Sequence, residues 1–164
     1  MTAKIHRLAT YAIVLFSFAW QAAAQAQITL KEGSKMSVTG TFEVKLSPQP
    51  AAASIAAANL GRQTIDKQFH GELEAHSLGE MIAAGTATKG SAGYVAIERV
   101  TGSLQGKKGT FILMHTGVMN RGIPQLTVQV VPDSGTEELL GISGQMRIQI
   151  TNGQHFYTFD YQLP

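Results

Sequence analysis

GYVAIERVTGSLQGKKGTFILMHTGVM, running from Gly93 to Met119, reads as two long β-strands joined by a tight turn, and it decides the fold. Side chains alternate across a strand, so Tyr94, Ala96, Glu98, Val100, Gly102 and Leu104 share one face of the first strand. Phe111, Leu113, His115, Gly117 and Met119 share one face of the second. A two-residue turn at Gly106-Lys107, with glycine first, pairs Gln105 with Lys108. That register sets Glu98 directly opposite His115 and Gly102 opposite Phe111. An acid and an imidazole then lie together on the apolar face of one hairpin.

The same period continues on both sides. Val38, Gly40, Phe42, Val44 and Leu46 alternate with Ser37, Thr39, Thr41, Glu43 and Lys45, a strand with one wet face. Pro48 and Pro50 end it, and the Ala-rich stretch up to Asn59 has the composition for two helical turns or a flexible connection. Gln63 to Ala75 reads as a second strand with Ile65, Phe69, Gly71 and Leu73 on one face, and Gly79 to Thr88 as a third. Beyond the central hairpin, Ile123 to Val131 makes a sixth strand. Thr136 to Leu140 follows as one helical turn, capped by Ser134 or Thr136, with Glu137 and Glu138 near its positive end. Gly144 to Ile150 and Gln154 to Leu163 flank Asn152-Gly153, a strong hairpin signal. Pairing Thr151 with Gln154 sets Ile148 opposite Tyr157 and Met146 opposite Phe159. About eight antiparallel strands with short connections and many glycines predict an all-β domain closed, or nearly closed, into one barrel. A β-sandwich is the second choice.

Before these strands, Lys4, His6 and Arg7 precede an apolar run from Leu8 to Trp20 and then a small-residue stretch. This is the pattern of a secretory signal peptide over residues 1–26, cleaved after Ala24 or Ala26. The run is too short for a comfortable membrane span. The processed chain, residues 27–164, is expected to be a single domain with no integral membrane segment, periplasmic or secreted. The whole chain carries 13 basic and 11 acidic residues. Lys4 and Arg7 leave with the leader, so the mature protein is electrically balanced and offers nucleic acid no basic footprint. There is no cysteine, so an exported domain must rest on its hydrophobic core alone.

Several phrases, GTFEV at Gly40 to Val44, KQFHGELE from Lys67, GYVAIERVTGSL, GTFILMHTG at Gly109 to Gly117 and VVPDSGTEELLGISG from Val130, resemble an uncharacterised bacterial family, domain of unknown function 3224. The resemblance spans essentially the whole mature chain. It implies an eight-stranded barrel like that of allene oxide cyclase, within the calycin-like barrels, and it implies no established chemistry. The leader and the Ala-rich insertion near Ala51 depart from the commoner cytoplasmic form.

Function rests on the hairpin. An inward Glu98 is costly to bury alone, and His115 across the strands supplies a hydrogen bond or a charge. One reading makes them a cavity pair that orients a small, largely apolar ligand, with Tyr94, Phe111 and Leu113 completing the ligand-binding set. The other makes them a structural pair that pins register. As catalytic candidates, Glu98 and His115 would serve the alternative reading, a cyclase or isomerase resembling allene oxide cyclase and acting without metal or cofactor. The histidines show no metal-ligand spacing, and there is no nucleophile elbow or phosphate loop. Val95, Ile97, Ile112, Met114 and Val118 make the opposite face of the hairpin nearly as apolar, which predicts a homo-oligomer interface or a covering segment, with an assembly role as a third alternative.

Overall fold

The computed structural model describes residues 34–58 and 60–164; the expected signal peptide and its cleavage sites lie outside the described residues. Eight antiparallel strands close into one barrel in sequence order, with β8 pairing back onto β1. They are β1 (Met36–Gln49), β2 (Gly61–Gly71), β3 (Leu73–Gly85), β4 (Ala92–Leu104), β5 (Lys107–Asn120), β6 (Ile123–Val130), β7 (Ser143–Thr151) and β8 (Gln154–Gln162). The Ala-rich stretch forms a short 3-10 helix, Ala53–Ala58, that buries none of its residues.

The hairpin at the Asn152-Gly153 turn has the expected register, Ile148 against Tyr157 and Met146 against Phe159. The central hairpin does not. Its turn is Gln105-Gly106, so Leu104 pairs with Lys107, Glu98 with Leu113, and Ala96 with His115. Gln105 and Gly106 both have positive φ, 48° and 81°, as do Arg121 and Gly122 at the next turn and Asn152 and Gly153 at the last. Such turns twist with the strands they join, and the second position favours glycine. Gln105 holds its unfavourable conformation because its side chain is tied on both ends. Its amide nitrogen donates to Glu72 at 2.9 Å, and its oxygen accepts from the Tyr161 hydroxyl at 2.7 Å. The slip is two residues, so every side chain keeps its face. Gly102 consequently meets Gly109 rather than Phe111, and the small-against-bulky pair is Tyr94 with Gly117.

A second correction concerns β2 and β3. The chain reverses at Gly71 and Glu72, inside the stretch expected as one strand, where Gly71 adopts φ 114°. Phe69 therefore pairs with Ala75, and β3 starts at Leu73. Alternation is unchanged through so tight a reversal, which is why period alone did not reveal it.

One end of the barrel is plugged. The connection from β6 to β7 brings Leu139 and Ile142 into one buried cluster with Leu73 and Leu104, all at most 2 % exposed. The same connection covers the first half of β5, which β6 does not reach. The Ile112 amide donates to Ser134 Oγ, the Thr110 amide to Thr136 Oγ1 and the Lys108 amide to Glu138 Oε2. Ser134, Thr136 and Glu138 thus satisfy an exposed strand edge. Thr136 makes no side-chain cap to the 3-10 turn Glu137–Leu139. Above the plug Phe111 stacks on Phe159, and Phe159 on Tyr161.

The other end, which carries the short turns at Arg121-Gly122 and Asn152-Gly153, has no buried plug among the described residues. Leu46, Met119, Leu126 and Ile150 share the inward parity of their strands there, yet remain 37 % to 63 % exposed. β6 and β7 share a single residue pair, Gln129 with Gln145. On the outer wall, Leu78, Ile82, Val95, Ile97 and Val118 stand exposed on three adjacent strands.

Candidate functional site

Between the plug and the mouth lies a layer of charge. Lys67 of β2, Ser77 of β3, Glu98 of β4 and His115 of β5 all share inward parity and are all buried. Lys67 faces Ser77 across the ladder, Glu98 stands two residues further along at Gly79, and His115 two further again at Ala96. The four step diagonally across four strands toward the mouth, and long side chains bridge such diagonals. The Lys67 ammonium donates to Glu98 Oε1 at 2.6 Å and Ser77 Oγ donates to Oε2 at 2.7 Å. His115 Nε2 lies 2.9 Å from the same Oε1. An ionised carboxylate only accepts, so Nε2 carries the proton of that bond.

Burial pushes the Glu98 carboxyl up, but the His115 hydrogen bond, the Lys67 and His115 charges and the Lys67 hydrogen bond outweigh it and hold the pKa at about 2. Lys67 is further accommodated by two aromatic faces, 4.8 Å from the Phe42 ring centre and 5.2 Å from that of Phe69. Because the folded pKa lies below the ordinary 4.5, the contribution of Glu98 to stability is full above about pH 4.5. It disappears as pH falls through about 2. Urea unfolding between pH 5 and pH 2 is expected to show the parent losing on the order of 2–4 kcal/mol more than Glu98→Gln across that window. Equal slopes would contradict this account of the cluster.

The sequence-predicted site residues separate into two groups. Glu98 and His115 meet, as a diagonal pair rather than a direct one. Phe111 and Leu113 belong to the packed core and are sealed from solvent. Tyr94 is half-buried on the mouth side, its ring lying across Gly117, and burial together with the Glu98 charge raises its hydroxyl pKa. Sequence reasoning passed over Lys67 and Ser77. The signal for Lys67 was its parity, since it stands between Ile65 and Phe69 on the inward face. Among the described residues no helix is long and apolar enough to cross a membrane.

The family described as "Protein of unknown function (DUF3224)" matches residues 38–161. A crystal structure of a protein with unknown function from that family, from Shewanella oneidensis MR-1, is similar over 80 % of this chain and 99 % of its own, at 53 % identity and TM-score 0.74. No curated protein matches significantly.

Proposed function

The chain belongs to the DUF3224 family of proteins of unknown function, and from that premise we propose that it is an exported barrel holding one small, largely apolar molecule in its uncapped mouth. The observation that carries the reading is the contrast between the two ends. Leu73, Leu104, Phe111, Leu139 and Ile142 at the plugged end are at most 2 % exposed, whereas Leu46, Met119, Leu126 and Ile150 stay 37 % to 63 % exposed. Inward-facing apolar side chains left open to water mark a candidate ligand site. Tyr94 adds a polar tip above the charged layer. Export is supported by the Lys4, Arg7 and Leu8 to Trp20 pattern of the leader.

Binding is favoured over catalysis by the state of the acid. Glu98 is fully buried and its oxygens already accept three hydrogen bonds, so steadying positive charge on a substrate would require breaking that network. Glu98 and His115 are in this reading the floor of the site and not its reactive groups.

Native mass spectrometry of protein purified from the periplasm is expected to show a bound mass, and a library of long-chain apolar compounds to raise the melting temperature. Saturation at 100 times Kd adds about 2.7 kcal/mol to stability. Leu126→Asp, at an exposed position, is expected to abolish that rise while preserving the fold. A barrel that is always empty and that no compound stabilises would defeat the proposal.

A further inference from the structure

We infer that the molecule held in the mouth is uncharged and donates one hydrogen bond to Gln63. The inference rests on the binding reading above and specifies its ligand. Gln63 on β2 has the parity of Ile65, Lys67 and Phe69, so it faces the interior, and it pairs with Pro48 of β1 and Met81 of β3 toward the uncapped end. Its Oε1 is buried and has no hydrogen-bond partner among the described residues. Buried acceptors are almost always satisfied, and one that is not is costly to keep. Leucine or methionine in the same place would cost nothing of that kind. An amide whose oxygen finds no partner among the described residues is therefore suited to a donor brought by a bound molecule.

The charged layer decides what sort of donor. Lys67, Ser77 and His115 all spend hydrogen bonds on the one carboxylate of Glu98, and the Lys67 ammonium is also covered by Phe42 and Phe69. No group of that layer is left to balance a second charge. An anionic head group would find no free cation in that mutually neutralised floor, and an ammonium would be buried without a counter-ion. A hydroxyl or a neutral N–H on an apolar body matches both features.

Titration calorimetry with decanol, decyl methyl ether and decanoate separates the cases, because the three share a chain and differ in donor and charge. In the parent, decanol is expected to bind roughly tenfold or more tightly than the ether, and decanoate most weakly. In Gln63→Leu the alcohol and the ether are expected to converge, and the ligand-free variant to melt no lower than the parent, since an unsatisfied acceptor has been removed. Gln63→Met provides the same comparison if the leucine variant folds poorly. An ether that matches the alcohol in the parent, or decanoate as the tightest of the three, overturns the inference and leaves the mouth as a site. Failure of all three to bind overturns the mouth reading together with it.

Discussion

Lys67→Met is expected to destabilise the barrel by about 3–5 kcal/mol, because it leaves Glu98 charged, fully buried and short of its cation. Methionine conserves the length and most of the volume of the side chain, so lost packing against Phe42 and Phe69 is a small part of the loss. The remaining His115 and Ser77 contacts do not replace a full ammonium charge at 2.6 Å. Urea denaturation measures the effect, and a double-mutant cycle tests its cause. Lys67→Met combined with Glu98→Gln is expected to recover much of the stability, since no unpaired charge then remains. Strictly additive losses in the double variant would show that the two residues are not coupled, and the description of the layer as one neutralised unit would fall.

Gly79→Ala is the second change with a large expected effect, about 2–4 kcal/mol, comparable to forcing extra atoms into a packed core. A Cβ at this position would lie 2.2 Å from the Ile97 carbonyl oxygen and 2.7 Å from both the Cα and the Cβ of Glu98. None of those atoms belongs to the free end of a side chain, so relief requires β3 and β4 to part where Glu98 is held. Gly85, at the end of the same strand, is the internal control. Its Cβ would meet nothing within 4 Å and its φ is not positive, so Gly85→Ala is expected to be neutral or to stabilise by a few tenths of a kcal/mol. Thermal unfolding of the two variants side by side checks both. Equal melting temperatures would show that the close approach at Gly79 is not required.

These two residues also mark where local reasoning stops. Lys67 lies between two inward apolar residues, and its period announces an inward lysine; its aliphatic stem and charged head make a surface reading equally natural until a partner is known. The partner lies 31 residues away on a strand that is not its neighbour, reached only through the diagonal step of a tilted sheet. Gly79 reads as one more glycine in a glycine-rich strand, and only the approach of Glu98 gives it a role. The lack of a partner for the Gln63 oxygen among the described residues is likewise a property of what does not surround it.

By itself the sequence determined the strand period, the side on which each residue of the central hairpin falls, the Asn152-Gly153 turn and an all-β chain disposed to close on itself. Each of these depends on residues close together in the chain, through side-chain alternation and turn chemistry. Tertiary structure alone decided the two-residue register of β4 against β5, the reversal at Gly71, the Lys67 and Ser77 contacts to Glu98, and which end of the barrel is plugged. Alternation is blind to an even slip or a tight reversal, because both preserve faces. The choice among them was made by the Gln105 side chain held between Glu72 and Tyr161, and by the packing of strands far apart in sequence.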